Sequence, residues 1–103
     1  MCGIAGAIGS FEDDSDNILN SLKNRGPDYQ NFYQNNKLVF FHSLLKIMDL
    51  SENSVQPMID KKTGNVIIFN GEIYNYNEIR KKYFPDSIFE SDTDTEVILK
   101  TYE

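Results

Sequence analysis

Apolar positions in this chain fall into short runs separated by polar breaks, and the spacing inside each run predicts the element it forms. Residues Gly3 to Ile8, "GIAGAI", are an uninterrupted small apolar run, which predicts a short strand buried on both faces. The polar break "SFEDDSDN" holds several candidate helix caps. In "NILNSLKN", Ile18, Leu19 and Leu22 share one helical stripe, and "RGPD" ends that helix because Gly closes it and Pro cannot continue it. "YQNFYQ" and "KLVFFHSLL" predict the two strands of a hairpin around Asn35-Asn36, a pair that tolerates positive φ. "KIMDL" reads as a further short strand, "SENSVQPMID" as a loop, and "KKTGN" as a turn into a buried strand, "VIIFN". "YNEIRKKY" places Ile79 and Tyr83 on one side of a short amphipathic helix. In "TDTEVILKTYE", Thr93 and Glu96 form a capping box, with Ile98 and Tyr102 on one face of the helix that follows. Strands, hairpin turns and a few helices without βαβ alternation predict an α+β fold, mostly antiparallel sheet with short helices.

Bulk properties narrow the classes. The chain of 103 residues is one compact domain, and 40% hydrophobic content with 13% aromatics is enough for a core. A net charge of −6, with the acids interspersed among lysines, disfavours nucleic acid and anionic membranes as partners. No apolar run approaches the roughly 20 residues of a membrane span, and no basic segment opens a signal peptide. A single cysteine makes no internal disulfide, which suits a reducing compartment, so a cytoplasmic location is expected.

That cysteine is Cys2, directly behind Met1. Removal of Met1 gives one residue both a thiol and a free α-amine, and an α-amine with an intrinsic pKa of roughly 7.7–8.0 serves as a proton acceptor near neutrality. Nucleophile and general base then come from the same residue, with no histidine required. The plain alternative is a small apolar residue on a strand, and position alone leaves both readings open. Attack on a carbonyl also needs donors aimed at the oxyanion. In "FNGEIYN", Asn70 offers a side-chain NH2, Gly71 a backbone N–H open to close approach, and Glu72 a carboxylate suited to an ammonium group. The plain alternative here is an Asn-Gly turn with a solvated acid. His42, the only histidine, reads as structural, since the amine already fills the role of base.

Taken together, "MCGI", "RGPD", "QPM", "NGEIYN" and "SDTDTEVIL" resemble, in order and spacing, the class II glutamine amidotransferases, N-terminal-nucleophile hydrolases, and within them the asparagine synthetase group. The resemblance covers essentially the whole chain. It implies the N-terminal half of an αββα sandwich over residues 1–103, a glutamine amidotransferase domain truncated with respect to the family's longer ones; the chain's ending inside a predicted helix fits that expectation. It also implies glutamine hydrolysis: Cys2 attacks the side-chain amide, forms a glutamyl thioester and releases ammonia, while its α-amine relays protons. Asn70 and Gly71 would form the oxyanion hole, Glu72 and Asp94 would bind the α-ammonium of L-glutamine, and Arg25 would order the loop around the nucleophile. Read without the family, Asp94 is an acid favoured at a helix N-terminus and Arg25 is a surface arginine.

The sequence departs from the family at one binding position. Where an arginine usually grips the α-carboxylate, "FHSLLKIMDL" carries Leu44, and a lost charged contact costs about 1.5–3 kcal/mol of binding. Lys46, two residues on, would substitute as a point charge without the guanidinium fork. No ATP-binding motif is present, so no cofactor is expected in this chain; ATP and Mg enter only with a synthetase domain supplied elsewhere. Such a domain, a second chain completing the fold, or self-association through open edges are the partners expected besides glutamine. Two further readings remain: a catalytically impaired glutaminase-like module kept for binding or structure, and an N-terminal-nucleophile amidase acting on a substrate without an α-carboxylate.

Overall fold

The computed structural model describes residues 2–9, 15–45 and 52–102. Within them lie strand β1 (Gly3–Ile8), helix α1 (Ser15–Leu22), strands β2 (Tyr29–Gln34) and β3 (Leu38–Leu44), a 3-10 turn at Glu52–Ser54, strands β4 (Met58–Ile59) and β5 (Val66–Ile67), and helices α2 (Tyr76–Tyr83) and α3 (Asp94–Thr101). The fold is a small α+β arrangement of antiparallel sheets and short helices, as the pattern predicts. The stretch "KIMDL", Lys46 included, lies outside the described residues.

β3 is the centre of a three-stranded antiparallel sheet in the order β1-β3-β2, with Gly3 opposite Ser43, Ile4 opposite His42 and Asn31 opposite His42 from the other side. It is the most buried strand of the three, with Val39 and Phe41 in the core. Alternation along β3 sends Val39, Phe41 and Ser43 to one face and His42 and Leu44 to the other. α1 covers the first face. A Cβ on Gly3 would lie 3.1 Å from the Leu22 side chain, and Gln30 Nε2 donates to Ser43 Oγ (3.1 Å) and to the Leu19 carbonyl. Gly26, in the "RGPD" turn, is pressed against β3 so closely that a Cβ would stand 2.1 Å from the Ser43 carbonyl oxygen. Phe69 hydrogen-bonds His42 through its backbone, which puts the segment following β5 on the opposite face. β4 and β5 pair as a two-stranded ribbon, and α3 packs on β5 and on α2.

Four local expectations are corrected. β1 forms where predicted, but it is an edge strand among the described residues, with Ile4 exposed and Ile8 83% exposed rather than buried on both faces. The β2–β3 turn uses no positive φ at its asparagines; Asn35 Oδ1 instead accepts the N–H groups of Lys37 (2.8 Å) and Leu38 (3.0 Å), an Asx solution to the same bend. "VIIFN" contributes only the two residues of β5, half-buried, and leaves the ladder before Phe69. The aromatics assigned to the helix faces are surface residues: Tyr83 is 63% exposed and Tyr102, just past α3, 80%, while α3 buries Val97, Leu99 and the polar groups of its first turn.

That first turn is a modified capping box. Thr93 Oγ1 accepts the Glu96 N–H as expected (3.4 Å), but the Glu96 carboxylate reaches past the cap, taking the N–H groups of Glu90 (2.9 Å) and Ser91 (2.7 Å) and the Ser91 hydroxyl (2.6 Å). Three donors on one buried carboxylate fold the preceding loop onto the helix N-terminus.

Candidate active site

Cys2 enters at the open end of β1. Its sulfur is half-buried, accepts the Leu45 N–H at 3.4 Å and lies 3.8 Å from the Leu45 carbonyl oxygen, one residue beyond the end of β3. The antiparallel register sets this position, since Gly3 pairs with Ser43 and the chain ahead of it runs alongside the end of β3. Arg25 approaches the same strand from the α1 side. Its N–H closes the end of α1 on the Leu22 carbonyl (3.0 Å), its Cβ would be 3.2 Å from a Cβ on Gly3, and its side chain extends to the surface.

The second half of the site is residues 69 to 73. Asn70, Gly71 and Glu72 are exposed, while their flanks are held. Phe69 donates its N–H to Gln56 Oε1 at 2.6 Å, and Gln56 Nε2 donates to Thr95 Oγ1 at 3.2 Å. Ile73 donates its N–H to Asp94 Oδ2 at 2.8 Å. The Phe69 ring folds back over Gly71, where a Cβ would stand 2.8 Å from the ring edge and require the ring to shift. Close approach of the ring therefore favours glycine at this position.

His42 links the two halves. It is 1% exposed, its imidazole is hydrogen-bonded to the Phe69 backbone, and its Nε2 has no partner among the described residues. Burial pushes its pKa below the ordinary histidine value, only partly opposed by the Phe69 hydrogen bond, so the ring is neutral at pH 7. That suits a structural group better than a proton acceptor. Leu44 is buried on the same face, and its backbone carbonyl accepts the Asp28 N–H (3.0 Å), so at this position the chain offers a core side chain and no donor.

Both halves thus meet the last turn of one strand: the thiol at Leu45, the Asn-Gly corner through His42. Asp94, which the resemblance places at the α-ammonium, is buried in the first turn of α3 with one carboxylate oxygen accepting the Ile73 N–H. Gln56 was absent from the sequence-derived site, although "QPM" was among the motifs. Its contacts are 13 and 39 residues away, and no periodicity along the chain signals them. Among the described residues no three His, Cys, Asp or Glu side chains are grouped as a metal would need, and no helix is long and apolar enough to cross a membrane.

The chain belongs to the glutamine amidotransferase domain family, whose model matches residues 1–103. Within that family it is similar to asparagine synthetases. It is 33% identical to asparagine synthetase (glutamine-hydrolyzing) 1 of Arabidopsis thaliana, over 100% of this chain and 18% of that protein. The same identity and coverage hold for the asparagine synthetase (glutamine-hydrolyzing) of Asparagus officinalis. Asparagine synthetase B (glutamine-hydrolyzing) of Escherichia coli K12 is 33% identical over 80% of this chain and 15% of its own length. The chain therefore spans under a fifth of these relatives.

Proposed function

We propose that this chain hydrolyses L-glutamine and delivers the ammonia to a synthetase of the asparagine synthetase type. With Met1 removed, the Cys2 thiol gives its proton to the α-amine of the same residue, and the thiolate attacks the glutamine side-chain carbonyl. The tetrahedral oxyanion is met by the Asn70 side-chain NH2 and the Gly71 N–H. Its collapse breaks the C–N bond, the amine proton passes to the departing nitrogen, and ammonia leaves a glutamyl thioester. Water then attacks the thioester, releasing glutamate and restoring the thiol. Glu72 holds the α-ammonium of glutamine, with Asp94 beside it fixing the Ile73 end of the loop, and Arg25 orders the approach to β1. Lys46 offsets, as a point charge toward the α-carboxylate, the donor missing at Leu44.

The observation that carries this reading is that the Cys2 sulfur is bound at Leu45 and the Phe69 backbone, directly ahead of Asn70–Gly71, at His42, both along residues 42–45. The succession of α1, the three-stranded sheet, the β4–β5 ribbon and the α2–α3 pair supports half of an αββα sandwich of the N-terminal-nucleophile type. A synthetase domain, on the same protein or on a partner, receives the ammonia in the cytoplasm and brings its own ATP and Mg. The alternative of a catalytically impaired module draws on one observation, the buried Leu44. Ammonia release separates the two. The mature chain releases ammonia from glutamine, Cys2→Ala does not, and Lys46→Ala raises KM. Release from no amide at all leaves the impaired module; release only from amides without an α-carboxylate redirects the substrate class.

A further inference from the structure

Residues 69 to 73 are held by more buried polar side chains than a surface turn requires. Gln56 is 6% exposed and spends both ends of its amide there, Oε1 on the Phe69 N–H and Nε2 on Thr95 in the first turn of α3. His42 is hydrogen-bonded to the same Phe69 backbone from β3 while leaving Nε2 without a partner among the described residues. Asp94 fixes the far end at Ile73. Burying a polar group with an unmade hydrogen bond is costly, and apolar packing would anchor a turn without that cost. What polar ties add is direction: they fix where a backbone points. The Phe69 ring, lying against Gly71, carries that orientation into the corner.

We propose that Gln56 and His42 are positioning residues that aim the Asn70–Gly71 corner at the oxyanion, acting through the backbone of Phe69. The proposal rests on the glutaminase reading above. Neither side chain touches substrate; each removes a freedom of the corner before the reaction begins. Such an effect is felt where negative charge develops and hardly at all in ground-state binding.

The test uses the full chain with Gln56→Met and His42→Phe, which keep size and lose the ties, and Gln56→Glu, which keeps the acceptor for the Phe69 N–H. Both apolar variants lower kcat about ten- to hundredfold, the scale of a small misplacement in an active site, with KM nearly unchanged. Gln56→Glu retains more of kcat than Gln56→Met. Alkylation of Cys2 by iodoacetamide, which forms no oxyanion, proceeds at the original rate in all three. Amide exchange at Ile73, which neither substitution touches directly, accelerates about tenfold, the equivalent of one lost hydrogen bond. Unchanged kcat, unchanged Ile73 exchange, or a loss of kcat matched by an equal loss of Cys2 alkylation overturns the proposal. Absence of ammonia release from the unsubstituted chain overturns the glutaminase reading instead, and Ile73 exchange still decides whether the ties hold the corner.

Discussion

The two faces of the central sheet are held by different physics. On the α1 side, contact is made mainly by shape, with Gln30 and Ser43 adding bonds to the Leu19 and Gly26 carbonyls: Gly3 admits Leu22, Gly26 lies flat against the Ser43 peptide, and Phe32 and Phe41 lie 6.0 Å apart between ring centres. On the other side the segment carrying Asn70 is tied by directed hydrogen bonds from His42, Gln56 and Asp94, and the loop before α3 is gathered by Glu96. Apolar packing fixes distance but leaves small rotations free, whereas a set of hydrogen bonds fixes orientation. A segment proposed to present an N–H and an amide to a developing charge needs the second kind of support.

If that contrast is right, the α1 face is the more sensitive to added volume. Gly26→Ala gives the largest effect, because the new methyl group meets backbone atoms 2.1–2.6 Å away that no rotamer change relieves. It destabilises by about 3 kcal/mol or more, read as a fall in the thermal midpoint by calorimetry. Glu96→Ala comes next, leaving two loop N–H groups and the Ser91 hydroxyl without their acceptor, at about 2–3 kcal/mol, measured by chemical denaturation. A smaller effect follows from Thr93→Ala, which removes one cap for about 1 kcal/mol in the same assay. The smallest distinguishes the faces by pH. His42 binds its proton less readily folded than unfolded, so below the ordinary value of 6.5 the unfolded chain holds more protons and stability falls as pH falls. His42→Phe removes that component; denaturation curves for the two proteins converge in shape only above pH 6.5. A Gly26→Ala protein as stable as the original would dissolve the contrast at its stronger end.

Much of the shape-packed half was legible in the sequence. The apolar run Gly3–Ile8, the Ile18–Leu22 stripe and the hairpin around Asn35 each carry their own period, and the helix predicted from "YNEIRKKY" spans the residues of α2. Burial was less legible, since a strand's second face depends on what pairs with its edge, and Ile8 and Tyr102 have nothing over them among the described residues. The residues to which the proposal gives chemistry, Cys2, Asn70 and Gly71, stood out by type and position. The side chains that hold them did not. Gln56 looks like any loop glutamine and His42 like a core histidine until the chain brings Phe69 between them, a juxtaposition with no local signature.

The central claim is that one residue supplies both nucleophile and base beside a pre-aimed corner. Mass spectrometry of acid-quenched protein incubated with glutamine tests it most directly. The account predicts an N-terminal peptide that begins at Cys2 and carries a glutamyl adduct on the sulfur, absent in Cys2→Ala. Ammonia release from a chain that retains Met1, or from Cys2→Ala, would contradict it.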